Sequence, residues 1–590
     1  MHRTLTLLFP VYLLLAPSLR SQVETATLFG SVKDALGTPL RCAVLTLENQ
    51  HTGRTLTSET GEAGLYRFDF ITPGVYSLKS RAKGYSPDER TFTLHVGARL
   101  KIDFTLLRFY EMPGQVVEAR KSKEALLEPS VSYVVNEEEI DRLPYRRREY
   151  QNLAVLAPGV RRGFVTPITV FDLDVLSISG RNGSDVIYYA DGVDNNDFAA
   201  GLPVLEFPQE SIQEFQVGAH RLGVEKGGSA GGFINVLTKS GTNRWKGSVF
   251  SYVKDENLMA RDHFMREAGM SKPQLTTTQF GASIGGPITI DRTHLFVAYE
   301  GTRGEDEFQV VNTGGAFPDL EGAFSRPVRE DMLLFKLTHS ISNSRRLTLR
   351  YNQQNSLMEQ LDTGGSMTLE SSRWEDVDKY LVLLRYDWYR SPHLSAELGG
   401  YYGWFRRLSE ATNANSSVLK FPSAFLGSNT FAPFEHTAQK IGLGGDFLFG
   451  CVGDGNRHSL KAGFHYQRVS STFMSARLQN GIFNYMLDDL GAAPAFFIVS
   501  LGDSTTDMDR NIFSLYFEDD WVVTEKLRLL PGVRYDVETG ILKDYSRAPA
   551  VRFIRENYEE LRETLAANFP ELRLNDRFRT LEPDIDNIAP

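Results

Sequence analysis

The sequence predicts a mainly β protein in three successive parts: a small β-sandwich, a compact α+β unit of short strands, and a partial antiparallel transmembrane β-barrel. Three observations carry this. Residues 25–108 hold short alternating runs at regular spacing, broken by Gly, Pro, Asn and Asp turns, which is the pattern of a sandwich. Residues 177–243 hold two short apolar runs, Val186–Ala190 and Phe233–Leu237, around an Asp/Asn-rich turn and a glycine cluster. From residue 244 onward, period-two segments of about ten residues carry one apolar face, one polar face and aromatics near their ends, the signature of strands that cross a bilayer.

Composition agrees. The chain has 590 residues, room for several domains at roughly 150 residues each. Its 38 Phe, 24 Tyr and 50 Gly suit β-structure with many tight turns. Past the N-terminus there is no apolar run of about 18 residues, so no membrane-spanning helix is expected. The net charge of −10 argues against nucleic acid as a partner. The two cysteines, Cys42 and Cys451, are far apart and read as two unpaired buried thiols; they are too few for a cysteine-based zinc cage.

The N-terminus has the form of a secretory signal peptide over residues 1–21. His2 and Arg3 are basic, Leu5–Leu15 is an apolar stretch too short to span a bilayer, and small or polar residues follow. Export, and not a cytoplasmic role, is the expectation.

In the sandwich, residues 22–108, seven runs are expected: TLFGSVKD, CAVLTLENQ, RTLTSET, LYRFDF, GVYSLKSRA, RTFTLHV and KIDFTLL. Ala43, Leu45 and Leu47 form one buried face, and Tyr66, Phe68 and Phe70 another. Residues 109–129 are charged and contain Pro113 and Pro129, as a linker would. In the third part, Leu347, Leu349 and Tyr351 share a strand face opposite Arg346, Thr348 and Arg350. Likewise Leu460, Ala462, Phe464 and Tyr466 oppose Lys461, Gly463, His465 and Gln467. Tyr380, Val382, Leu384, Tyr386 and Trp388 fall together, as do Leu527, Leu529, Val533 and Tyr535. About eleven strands are expected between 244 and 540. Residues 304–329, 355–378 and 480–510 read as long polar loops, and the three- and four-residue steps of Ile554, Tyr558, Leu561 and Leu565 as a short helix.

Several long motifs, in order, resemble one family. LPYRRREYQNLAVLAPGV (143–160), DGVDNND (191–197), SIQEFQV (211–217) and SAGGFINVLTKSGTN (229–243) are similar to the plug domain of TonB-dependent outer-membrane receptors. QFGASIGGPI with THLFVAYEGTR, and LYFEDDWVVTEKLRLLPGVRYD (515–536), are similar to that family's barrel. GSVKDALGTPL, TGEAGLYRF and PGVYSLKSRAKGY resemble the carboxypeptidase-regulatory-like, prealbumin-type module that precedes the plug in the Oar-like group, a structural module and not a peptidase. The resemblance implies a plug at 130–243 and a transmembrane barrel over 244–590. It implies a lumen stopped by the plug and extracellular loops that bind a large or scarce ligand: a glycan, peptide, siderophore or protein. It further implies a periplasmic TonB-type energy-coupling protein, with its inner-membrane complex, as partner, and outer-membrane lipid around the wall. Family barrels have about 22 strands, so this one is expected to be incomplete. The plug residues singled out are Asp191, Gly192, Asp194, Asn195, Gly231 and Gly232. Val116, Val117, Glu118 and Ala119 are the candidate energy-coupling segment. A surface-binding or adhesion protein without active transport is the alternative.

No enzyme, cofactor or metal is called for. Gly227-Gly228-Ser229-Ala230-Gly231 fits G-x-S-x-G, but a nucleophile elbow needs a strand before and a helix after, and here a strand follows. The eleven histidines form no H-E-x-x-H. Asp191, Asp194 and Asp197 lack the remaining ligands of a calcium loop and read as turn-formers. The arginines Arg146, Arg147, Arg148, Arg161 and Arg162 read as a solvated basic face, with pairing to acidic barrel residues as the other possibility.

Overall fold

The computed structural model describes residues 25–108, 125–126, 132–143, 148, 151–162, 176–181, 183–197, 201–218, 223–225, 227–228, 231–261, 263–267, 274–310, 317–391, 393–452, 457–476, 478–499, 504–524, 527–540 and 588–589. Two cross-packed sheets form the N-terminal sandwich. One contains Leu65–Ile71, Ala26–Asp34, Arg99–Lys101 and Phe104–Leu106; the other runs Thr55–Glu59, Val44–Asn49, Gly74–Arg81, Asp88–Leu94. Leu28, Leu45, Leu47, Phe68, Leu78 and Phe104 fill the space between them. The expected run KIDFTLL is divided into two short strands that lie parallel to Ala26–Asp34. Ala125–Leu126, inside the expected linker, adds a further strand by pairing with Arg99–Lys101.

Two expectations here are corrected. Phe70 is not in the core. The ladder pairs Leu28 with Phe68 but Ala26 with Ile71, so the strand carries one extra residue and Phe70 sits at φ 52°. Such a bulge re-aims every side chain beyond it, and Ile71 takes the buried place. Cys42 is free but exposed, on a turn at φ 58°. The side chain of Cys451 lies outside the described residues, as do Ser229, Arg146, Arg147, the candidate helix at 553–572 and the whole of Val116–Ala119.

The second unit is a five-stranded mixed sheet in the order Ser132–Asn136, Ile212–Gly218, Phe233–Thr238, Ile187–Ala190, Val193–Asp194. The helix Glu137–Arg142 leaves the first strand through a capping box. Asn136 accepts from the Glu139 amide at 3.1 Å, and Glu139 accepts from the Asn136 amide at 3.0 Å, satisfying two otherwise orphaned donors. Phe233–Thr238 is buried at every position, which explains its unbroken apolar reading.

Among the described residues the third unit is a thirteen-stranded antiparallel sheet of nearest-neighbour hairpins. Two of its strands, Arg528–Leu529 and Ile588–Ala589, are two residues long; the other eleven match the expected number, although the run KLRLLPGVRYD is divided between Arg528–Leu529 and Gly532–Thr539. Its polarity is inverted relative to a soluble core. In Arg345–Leu361 the polar Thr348, Arg350, Asn352 and Gln354 are buried, whereas Leu347, Leu349 and Tyr351 remain partly exposed. In His458–Ser475, His465 and Gln467 face in, while Phe464 and Tyr466 face out. Phe513, Leu515, Phe517, Leu529 and Val533 are all outward and exposed. An apolar outer face and a polar inner face are what a wall in hydrocarbon requires.

The expected loops at 304–329 and 355–378 are largely strand. Thr293–Val310, Gly322–Ser342 and Arg373–Ser391 are 18, 21 and 19 residues long, about twice a bilayer crossing. Their charges disguise them: Arg303 Nη2 reaches Asp331 at 2.7 and 2.9 Å across the hairpin, a pairing that holds polar strands together beyond the membrane. Within 480–510, Ile482–Asn484 and Phe496–Ile498 join Val418–Lys420 and Phe425–Gly427 in a small separate sheet at the same end. The opposite end has short connections such as 290–292 and 343–344.

Leu349→Arg places a charge on the outward face and should cost about 2 kcal/mol or more in bilayer unfolding titrations. Leu36→Arg, at a 91% exposed sandwich position, should stay within about 0.5 kcal/mol of the parent.

Candidate functional site

The centre of the molecule is the seam between the five-stranded sheet and the inner face of the wall. Its apolar layer is shared. Val135, Tyr188, Phe215, Ile234 and Val236 of the sheet belong to the same buried cluster as Phe296, Ala298, Leu334, Leu381, Leu383 and Tyr401 of the wall.

Its polar layer begins at the two-residue turn Asp191-Gly192, closed by the pair Ala190 and Val193. Both residues lie in the left-handed region, at φ 45° and 74°. A tight hairpin of this kind demands positive φ at both centres, and Asp-Gly tolerates it. The turn aims the Asp191 carboxylate at the wall. Arg350 Nη1 lies 2.8 Å and Lys336 Nζ 3.2 Å from Oδ2. The Thr238 amide donates to Oδ1 at 2.8 Å, and the Thr238 hydroxyl donates to Oδ2. Lys336 also donates to the Thr238 carbonyl at 3.0 Å. All three charged side chains are buried. Burial pushes the Asp191 carboxyl up, but Lys336, Arg350 and the Thr238 donors outweigh it and hold the group well below its ordinary value of 3.8.

The rest of the turn is knitted in the same way. Asp194 meets Lys440 Nζ at 2.7 Å and accepts from Gln467 Nε2 at 3.0 Å; burial raises its carboxyl, and Lys440 brings it down below the usual range. Asn195 donates to the Leu205 carbonyl at 2.9 Å and accepts from the Leu205 amide at 3.0 Å. Asn196 accepts from the Tyr188 amide at 2.7 Å. Gly231 and Gly232 lie at the start of the central strand. The Gly231 amide donates to the Asp185 carbonyl at 2.9 Å, and a Cβ there would stand 3.1 Å from that oxygen. The six plug residues singled out in the sequence therefore fall into two groups, a charged turn on the wall and a glycine contact behind it. Asp191 and Asp194 are engaged by different cations. Among the described residues no three His, Cys, Asp or Glu are placed to share an ion.

The wall side of the seam was missed. Glu300 accepts from the Gln209 amide at 3.0 Å, and Gln354 from the Glu206 amide at 3.0 Å. Arg148 leaves the solvated face for the other possibility, pairing with Glu210 at 3.1 Å and the wall's Glu300 at 3.5 Å, and lies over the rings of Phe250 and Tyr252. Arg161 and Arg162 are exposed as expected. The signal for the wall partners was parity: Lys336, Arg350, Lys440 and Gln467 occupy the in-facing register of strands whose other face is apolar.

The outer membrane beta barrel domain family matches residues 237–329 and 312–590. The chain belongs to the outer membrane β-barrel family. The carboxypeptidase regulatory-like domain matches residues 27–107, the sandwich. The TonB-dependent transporter Oar of Myxococcus xanthus is 28% identical over 319 residues, covering 50% of this chain and 29% of that protein, in line with the resemblance read from the plug motifs. The outer membrane transporter YddB from Escherichia coli aligns with a TM-score of 0.53 at 14% identity, over 69% of this chain and 56% of that one. The unliganded ferric citrate transporter FecA aligns at 0.51 and 14% identity, over 70% and 56%. These two share the fold. The chain thus spans less than a third of Oar and a little over half of each solved transporter.

Asp191→Asn leaves Lys336 and Arg350 buried with the negative charge removed and should destabilise the seam by about 3–5 kcal/mol, read as earlier release of the sheet to protease in a denaturant series. Asp191→Asn with Lys336→Met should recover part of that loss. Because the Asp191 carboxyl is lowered in the fold, its contribution is complete above the unfolded value of 3.8 and fades only as pH falls below it. The Asp191→Asn penalty should therefore be flat from pH 8 to about 5 and shrink under stronger acid.

Proposed function

We propose that this chain is the plug-bearing part of an outer-membrane TonB-dependent receptor that takes up a large or scarce ligand through a gated β-barrel. The observation that supports it most is the seam: a compact sheet fills the inner side of a membrane wall and is held there by buried ion pairs. Asp191, Gly192, Asp194, Asn195, Gly231 and Gly232 act as gating and structural residues, since any movement of the plug must break or carry the Asp191 and Asp194 contacts. In this reading residues 1–21 are a signal peptide, 22–108 the regulatory-like sandwich, 109–129 a linker, 130–243 the plug and 244–590 barrel wall. Short connections mark the periplasmic end and long hairpins the extracellular end. The small sheet carrying Phe496–Ile498 then lies outside the cell, with Met486, Leu487, Leu490 and Phe496 exposed, and is the ligand-facing surface. Val116–Ala119 is the segment offered to the energy-coupling protein. The chemistry is binding and displacement, without covalent catalysis.

Similarity to Oar supports energy-coupled transport. The alternative, a surface binder without transport, shares the same outer loops, and one experiment separates the two. Cells expressing the full-length protein are given labelled ferric siderophores, oligosaccharides and peptides, with and without the energy-coupling protein. Uptake of a surface-bound probe should stop when coupling is removed, while surface binding persists. Uptake that is unchanged without coupling, or binding with no uptake in either strain, would sink the transport reading.

A further inference from the structure

The sandwich touches the rest of the molecule only at the short-connection end among the described contacts, and there it grips plug and wall together. On the wall, Asp520 lies two residues before the end of the strand Thr505–Val522 and receives Arg67 Nη1 at 2.7 Å and the Arg99 guanidinium, both from the sandwich. On the plug, Glu214 accepts from the Val96 amide at 2.5 Å and meets His95 Nδ1 at 2.7 Å; Gly97 lies against Gln216 two residues further along the same strand. At the rim, Arg54 donates to the Asn343 carbonyl at 2.9 Å, and Asn343 Nδ2 donates to Thr55 Oγ1 at 3.0 Å. One apolar key joins them: Tyr389 of the wall stacks on Phe68 and is counted in the sandwich core.

The chemistry of this contact is that of a joint made to open. A buried charge that loses its only partner is costly, and this makes ion-paired interfaces hard to separate. Here each side keeps a counter-ion of its own. Arg67 pairs with Asp69 within the sandwich, and Asp520 pairs with Arg528 within the wall. Separation therefore strands neither charge. On separation the Arg99–Asp520 and His95–Glu214 pairs and the hydrogen bonds give way to water, and the apolar key is the stack of Tyr389 on Phe68, in keeping with a domain contact that forms and releases.

We propose that the sandwich is a releasable gate across the periplasmic mouth, latched to the wall at Asp520 and keyed to the plug at Glu214. It rests on the reading of the barrel as a gated pore and adds a second closure to it. The strand Ile212–Gly218 pairs on both sides within the plug, so displacing the plug withdraws Glu214 from His95 and Val96 and loosens the gate. Conversely, a docked gate holds the plug in place.

The test uses the full-length protein in detergent micelles, with Cys42→Ser and Cys451→Ser as background. Thr55→Cys with Asn343→Cys reports docking by disulfide formation, and Gln216→Cys, in a separate protein, reports plug exposure to a membrane-impermeant maleimide. Asp520→Asn should slow cross-linking and speed Gln216→Cys labelling by at least about tenfold, with Asp520→Glu between it and the parent. Arg67→Gln with Arg99→Gln should do the same from the sandwich side without touching the wall, and unchanged heat-modifiable migration of each variant shows that the barrel is folded. With Thr55→Cys/Asn343→Cys locked, Gln216→Cys labelling should fall further. Cross-linking and labelling at parental rates in both the Asp520 and the arginine variants would overturn the latch; undiminished labelling in the locked protein would overturn the gate. Neither readout involves a ligand or energy coupling, so failure here leaves the transport reading standing, and failure of uptake leaves this one standing.

Discussion

Hydrocarbon offers no hydrogen bonds, and that one constraint organises the molecule. Every backbone donor in the wall must be met by a neighbouring strand, which gives the sheet its hairpin-by-hairpin register from Lys246–Asp255 onward. Side chains facing lipid must be apolar, so the polar residues of each strand are driven to the other face. There they meet a second demand: buried charges need partners. Lys336, Arg350 and Lys440 cannot be hidden inside a wall unless something carrying carboxylates is placed against them. Asp191 and Asp194 are that something, and a turn of defined geometry is what delivers them.

The plug is consequently held by chemistry different from that of the sandwich core. Leu28, Leu45 and Phe68 are buried because water rejects them, and the order of contacts hardly matters. Asp191 is buried because two cations and Thr238 await it, and its position matters to a fraction of an ångström. The second kind of contact behaves differently from the first. It is specific when seated, since hydrogen bonds depend steeply on distance and angle, and any displacement must give each buried charge a new partner or water.

Much of this architecture was legible in the sequence, and the reasons are physical. Period-two alternation reported the wall strands faithfully because lipid enforces it at every second position. The Asp/Asn-rich run announced a turn because Asp and Asn bend the backbone through their own side-chain hydrogen bonds, whereas its closure on Asp191-Gly192 is seen only in the structure. Where the reading failed, a tertiary effect intervened. Phe70 has the right parity for the core, but a bulge between Phe68 and Ile71 shifts the register there, and no local residue signals that. The polar outer portions of Gly322–Ser342 and Arg373–Ser391 look like loops because they leave the hydrocarbon while remaining paired. Arg148 looked solvated because its carboxylate partner Glu300 is about 150 residues away in sequence. Of the site, the turn was visible from composition, whereas the cations that give it a role could be placed only once the inward parity of three wall strands was known.

The apolar cluster shared by Phe215, Ile234, Leu334 and Leu383 has a further consequence, for modularity. Plug and wall do not each own a finished interior: among the described residues, six of the 24 buried residues of the shared cluster come from the wall. Chimeras that exchange one without the other would mismatch both steric fit and charge at once. Drift in this lineage is therefore expected to proceed by paired substitutions across the seam, whereas the N-terminal module, whose interior is almost wholly its own, is free to be shuffled among unrelated architectures.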